Sequence, residues 1–283
     1  MKIYIVIPAH NEGKYIAETL QSLVNQTVKP DRVIVVDDNS IDNTSQIAID
    51  FAAKYPFIEL VENSSSAEHA PGSKVINAFY KGYYELPEDY DIICKFDADL
   101  IFPENYLETL ALHFESDESI GMVGGFCSVL KGKKWETENL TGKDHIRGAL
   151  KAYRKNCFVQ IGKLKPSMGW DTADELVARF HGWKIFTDAS LVVKHLRPTG
   201  LNYHQDAAHK QGEAFYKLRY GTGLTLIASA KLAAKKMNPF AFVHYSVGYF
   251  NAKRRNDNFL VSEEEGAFIR NFRWKNIRKK FKS

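Results

Sequence analysis

Ile92-Ile93-Cys94-Lys95-Phe96-Asp97-Ala98-Asp99-Leu100 is the stretch that decides how this chain is read. Its first half is an apolar run of the length of a buried strand, and it ends in two carboxylates two residues apart. Side chains alternate along an extended chain, so Asp97 and Asp99 are expected to point the same way. That arrangement suits a hard divalent cation that also holds a substrate diphosphate. An isolated Asp-x-Asp is more simply a solvated strand end, and the surrounding sequence has to decide.

Upstream, short apolar runs alternate with helical patterns. Strands are expected over Lys2–Ile7, Arg32–Val36, Phe57–Val61 and Asp91–Phe96, and helices over Lys14–Asn25, Asp42–Lys54 and Ser73–Glu85. Near-continuous Val/Ile strands between helices predict an α/β fold with a mostly parallel sheet covered by helices. Ligands of such sheets bind beyond the carboxyl ends of the strands. Three polar clusters fall there: Pro8–Glu12, Asp37–Ser40 and Asp97–Asp99. Their convergence says more than any one of them.

Downstream the pattern loosens. Gly121–Phe126, Lys184–Phe186 and Leu191–Val193 read as strands, and Asp144–Asn156 and Asp174–Phe180 as helices. From about residue 200 two helical stretches follow, near 205–220 and 224–236, then an aromatic stretch at 240–250 and a basic tail. The chain has 283 residues, 45% hydrophobic, with a net charge of +4, which is enough for one large core and uninformative about partners. Cys94, Cys127 and Cys157 are too scattered for a zinc motif or a disulfide framework, which fits a reducing, cytoplasmic compartment. The apolar N-terminus stops after about seven residues and reads as a first strand. No run approaches the ~20 apolar residues of a membrane span.

Val6-Ile7-Pro8-Ala9-His10-Asn11-Glu12, Val33-Ile34-Val35-Val36-Asp37-Asp38-Asn39-Ser40 and Phe96-Asp97-Ala98-Asp99, in this order, resemble the family 2 glycosyltransferases of the GT-A fold. The resemblance covers about residues 1–200, leaving 201–283 as a helical, basic C-terminal extension. It implies an inverting transferase that uses a nucleotide-activated sugar, a UDP- or GDP-sugar, and usually Mg2+ or Mn2+. It places Pro8, His10, Asn11 and Glu12 against the nucleoside. In that loop proline is expected to end the strand, having no N–H to donate. It gives Asp38 the base, whose ring N–H a carboxylate can accept, and leaves Asp37 to local backbone groups. Asp97 falls to the ribose or the metal shell, and Asp99 to the metal. Lys74 and Asn77 resemble a helix start near the nucleotide, where a lysine can serve as a point charge for phosphate; a solvated helix lysine is the alternative.

Inversion needs a carboxylate that deprotonates the acceptor hydroxyl. The family commonly supplies it from Glu-Asp before a helix. Here the corresponding stretch, Gly169-Trp170-Asp171-Thr172-Ala173-Asp174-Glu175, departs from that pattern, so Asp174, Asp171 and Glu175 all stand as candidates, Asp174 first. Trp170 is either a wall for an acceptor sugar or core. His195, after an apolar run, is either a third metal ligand or structural, and Arg197 is a candidate diphosphate contact.

The tail interleaves Arg270, Arg273, Lys275, Arg278, Lys279, Lys280 and Lys282 with Phe268, Phe272, Trp274 and Phe281. It is read either as a contact for an anionic membrane surface or as a packed helix with a solvated basic side; no nucleic-acid motif accompanies the charge. The acceptor implied is a glycan or lipid-linked glycan, placing the protein peripherally at the inner membrane face. Two other readings stay open: a nucleotidyltransferase on a similar sheet, and a non-catalytic protein that keeps only the nucleotide crevice.

Overall fold

The computed structural model describes residues 1–65, 72–138, 145–197 and 205–280. They form two compact units, one of Met1–Pro166 with His181–Thr199, the other of Ser167–Phe180 with Gly200–Ser283.

The first unit opens with β1 (Ile3–Ala9), α1 (Ile16–Val24), β2 (Arg32–Asp38), α2 (Thr44–Lys54), β3 (Ile58–Asn63), α3 (Ser73–Tyr83) and β4 (Ile92–Phe96). It continues with β5 (Leu100–Ile101), α4 (Tyr106–Ser116), β6 (Ile120–Lys131), β7 (Lys134–Thr137), β8 (Leu150–Arg154) and α5 (Lys155–Gln160). After α6 (Trp170–Phe180), which belongs to the second unit, β9 (Lys184–His195) completes the sheet. The strand order is β3-β2-β1-β4-β8-β6-β9-β5, with β7 paired to β6. β3, β2, β1 and β4 are mutually parallel, as are β6 and β9, while β8 lies antiparallel between β4 and β6. The mostly parallel α/β sheet expected from the sequence is therefore present. Ile3, Ile5, Val33, Val35, Ile93 and Cys94 are fully buried, as strands covered on both faces require.

Three local expectations need correction. β1 does not end at Pro8 but runs to Ala9; its pairing with β4 stops at Val6 opposite Lys95, so on that side Pro8 has no ladder bond to lose. Within 144–156, where a helix was expected, residues 150–154 are strand β8 and only the end enters α5; residue 144 lies outside the described residues. Insertion between two buried strands overrides helical periodicity there. The two short strands read at 184–186 and 191–193 are one strand. Gly124 faces Thr187 and Phe126 faces Val192, so β9 bulges between them, held by Asp188 accepting from Ser190 N at 2.8 Å. Helix α4 carried too little amphipathic signal to be singled out.

The second unit is helical among the described residues: α6, α7 (Gln205–Lys217), α8 (Gly221–Lys235), α9 (Pro239–Arg255) and α10 (Glu263–Lys280). α7 and α9 cross with their backbones in near contact. A Cβ on Gly212 would lie 1.9 Å from the Tyr245 carbonyl oxygen, and one on Gly248 2.1 Å from that of His209. α10 begins with a capping box in which Ser262 Oγ accepts from Glu265 N and the Glu265 carboxylate from Ser262 N. Phe268 packs on Phe180, and Phe272 lies under the Arg179 guanidinium, so these half-buried tail aromatics are engaged in packing within the unit. Phe281 and Lys282 lie outside the described residues.

Gly82 of α3 tests how tightly a helix sits on the sheet, since its Cβ would meet Val36 at 2.6 Å and Val6 at 2.9 Å. Gly82→Val is expected to destabilise the first unit by about 1–3 kcal/mol, the usual cost of overpacking. Urea unfolding checks it, and an unchanged midpoint would show that α3 can lift off without penalty.

Candidate active site

The loops after β1 and β2 brace each other. Asn11 and Asn39 both adopt the left-handed conformation, at φ 55° and 63°, which asparagine tolerates better than most residues. Asn11 N donates to Ser40 Oγ at 2.8 Å, and its Oδ1 accepts from Ile41 N at 2.9 Å. The His10 ring meets the Asp38 carbonyl at 2.7 Å, and Glu12 N donates to Thr44 Oγ1 at 2.8 Å. Asp38 accepts from Asn63 Nδ2 at 2.7 Å and from Ser65 Oγ at 2.9 Å. Asp37 takes the hydroxyls of Ser40 and Ser45, where backbone partners were expected.

The Asp97–Asp99 loop is fixed from three sides. Lys95, 2% exposed inside β4, forms an ion pair with Asp97, and its Nζ donates to the Gly148 carbonyl at 3.2 Å. Asp97 N donates to the Ala149 carbonyl at 3.1 Å. From α1, Thr19 Oγ1 donates to the Ala98 carbonyl at 2.8 Å and accepts from Leu100 N at 2.9 Å. Burial works against the Asp97 anion, but the Lys95 charge and its hydrogen bond prevail, with help from His195 and Arg147, and hold the carboxyl below its usual range.

Asp99 faces an imidazole and a guanidinium. His195 Nε2 stands 3.3 Å from its Oδ2, and Arg197 Nε is equally close. β5 delivers this contact by pairing Leu100 with His195. Arg197 also pairs with Glu12, and in this structure it bonds to carboxylates. Burial pushes Glu12 up to about 7; Arg197 opposes that shift, and Asp99 and Asp97 add to it. Glu12 Oε2 is buried with no hydrogen-bond partner among the described residues.

Behind His195 lies a group the sequence did not single out. Its Nδ1 is 4.0 Å from Glu138 Oε2, which pairs with Arg147, and one ligand atom from each of Cys127, Glu138 and His195 lies within 4.8 Å of the others. Glu138 follows an exposed hairpin and carries no motif. Lys95 did carry a signal, because a lysine inside an apolar strand demands a partner. Lys74 is half-buried in the first turn of α3, and Asn77 is exposed.

In the second unit Trp170 opens α6 and is buried, as are Asp174 and Glu175, while Asp171 is half-buried. Glu175 N donates to the Asp174 carboxylate at 2.6 Å. Asp174 and Glu175 are both buried although helical neighbours stand ~100° apart.

The raised Glu12 has a consequence for stability. Its folded-state pKa lies above the ordinary 4.5, so the folded protein holds that proton where the unfolded chain releases it. The contribution is present below about pH 4.5 and is lost as pH rises to about 7. Glu12→Gln should therefore gain stability relative to the parent across that window. Denaturant titrations at several pH values check it, and a pH-independent difference would refute it.

A probable glycosyltransferase of Bacillus subtilis, YdaM, is 36% identical over 135 residues, 47% of this chain and 31% of the relative. The chain spans less than two thirds of the length of the curated relatives first matched. Among solved structures, the Pyrobaculum calidifontis mannosyltransferase PcManGT, in complex with GDP-Man and Mn2+, superposes with a TM-score of 0.59 at 17% identity, covering 99% of this chain and 82% of that one. Residues 1–349 of S. aureus TarS, in complex with UDP-GlcNAc, give 0.58 at 16% identity, covering 91% and 74%. These likenesses show the GT-A fold. Residues 4–164, more than half of the chain, match the family described as Glycosyl transferase family 2, and the chain belongs to that family.

Proposed function

We propose that this protein transfers a sugar, with inversion, from a UDP- or GDP-sugar to a hydroxyl of a glycan or lipid-linked acceptor. The observation that carries the reading is the convergence of Glu12, Asp99, His195 and Arg197, from the ends of β1, β4 and β9, within one network of contacts, with Asp97 close enough for its charge to act on Glu12. The structures of PcManGT in complex with GDP-Man and Mn2+ and of TarS in complex with UDP-GlcNAc support it.

Asp99, His195 and Asp97 would hold a divalent cation, Mg2+ or Mn2+. The donor set fits, since carboxylate and imidazole stand side by side at Asp99 and His195, and Glu12, linked to Asp99 through Arg197, has a buried oxygen with no hydrogen-bond partner among the described residues. When bound, such a cation neutralises a leaving diphosphate. In this reading Pro8, His10, Asn11 and Glu12 line the nucleoside side. Asp38 accepts from the base, with lone pairs to spare beyond Asn63 and Ser65. Lys74 offers a charge to phosphate.

Asp174, with Asp171 as second choice, takes the proton from the acceptor hydroxyl. The freed oxygen forms a bond to the anomeric carbon as the bond from that carbon to phosphate breaks, and nucleoside diphosphate leaves. The amide of Glu175 holds the Asp174 carboxylate in place for that task. Trp170 is the acceptor-side wall. A peripheral seat on the inner face of the cytoplasmic membrane belongs to the same reading; no helix among the described residues is long and apolar enough to cross a membrane.

Asp99→Asn should abolish transfer without unfolding the protein, and EDTA should do the same to the parent until Mn2+ or Mg2+ is restored. Transfer that persists undiminished in excess EDTA would remove the cation from the scheme. For the base, Asp174→Asn is expected to lower kcat by about 10²–10⁴-fold while calorimetric donor binding holds. Should Asp171→Asn be the inactive variant and Asp174→Asn turn over normally, the base lies at the start of α6.

A further inference from the structure

Helix α9 has two faces, and only one is explained by packing. Ala241, Tyr245, Gly248 and Ala252 are buried. On the opposite side Phe240, Val243, Val247 and Phe250 are 73%, 54%, 39% and 46% exposed. At ~100° per residue these four fall within about 80° of arc, a continuous apolar stripe about 15 Å long. Met237, 91% exposed, extends it at the turn before the helix.

Among the described residues, cations flank both ends of the stripe. Lys235, Lys236, Lys253 and Arg254 are exposed at its two ends, and Arg254 shares its arc. Glu213 and Asp257 are both paired with Arg255. Residues 200–283 hold sixteen Lys and Arg against six Asp and Glu, although the whole chain is only +4.

An apolar face on a helix that lies flat, bracketed by cations, is what seats a peripheral protein in the headgroup region of an anionic bilayer. We infer that the Phe240–Phe250 face of α9, and not the packed aromatics of the tail, docks on an anionic membrane. Phe240 and Val243 enter the acyl boundary, while the lysines and arginines pair with lipid phosphates. The surface is independent of the transfer chemistry, so its failure and that of the proposed reaction are read separately.

Cosedimentation of the full chain with vesicles of phosphatidylcholine, with and without phosphatidylglycerol, tests it. The parent should bind the anionic vesicles and be released by high salt. Phe240→Glu/Val243→Glu should weaken binding at least about tenfold at unchanged melting temperature. Lys253→Gln/Arg254→Gln should weaken binding to the anionic vesicles alone. If the double glutamate variant proves unstable, Phe240→Ser carries the same test in the same direction. Equal binding by parent and variants overturns the proposal, as does equal binding to both vesicle types. A lipid-free dimer of the parent that the α9 variants dissolve also overturns it, since the stripe would then cover a second copy.

Discussion

A lysine buried in the middle of a sheet is the constraint on which this site hangs. Lys95 sits in β4 opposite Val6 of β1 and Lys151 of β8, and its ammonium has left water for the interior. An unanswered charge there is prohibitively costly, so a carboxylate must meet it. Asp97 does so, and the same ammonium reaches the carbonyl of Gly148. The loop beyond β4 is thereby tied to the segment leading into β8, and Asp99 is presented from an anchored backbone.

The second organising fact is that the acids of this crevice are not alike. Asp97 is kept ionised by an internal cation, whereas Glu12, buried with less compensation and close to two other carboxylates, holds its proton up to about pH 7. Environments that push neighbouring carboxyls apart avoid stacking all the negative charge in one place. Arg197 spans the gap by touching both Glu12 and Asp99.

The parts of this architecture visible in the sequence are those fixed by local pattern. Buried Val/Ile strands and the polar residues at their ends need only a few consecutive positions to declare themselves, so β1, β2, β3, β4 and their clusters were legible. Features that depend on distant pairing were not. β8 reads as helix because nothing within it states that it lies between β4 and β6. Glu138 reaches His195 through a hairpin with no motif, and the β9 bulge splits one strand into two apparent ones. The α9 stripe was visible as aromatic content, but which aromatics face outward is a matter of helix–helix packing.

The position of β8 also bears on the order in which the chain can become native during synthesis. The strands β1 to β4 are complete once residue 96 has emerged, yet the β4 edge stays open until residues 150–154 arrive. For some fifty residues of elongation the growing chain displays Ile92-Ile93-Cys94-Lys95-Phe96 as an unpaired, largely apolar border. The charge of Lys95 lies within that border, where it discourages another chain from pairing there before β8 does. The residue that anchors the finished site thus also guards the unfinished sheet.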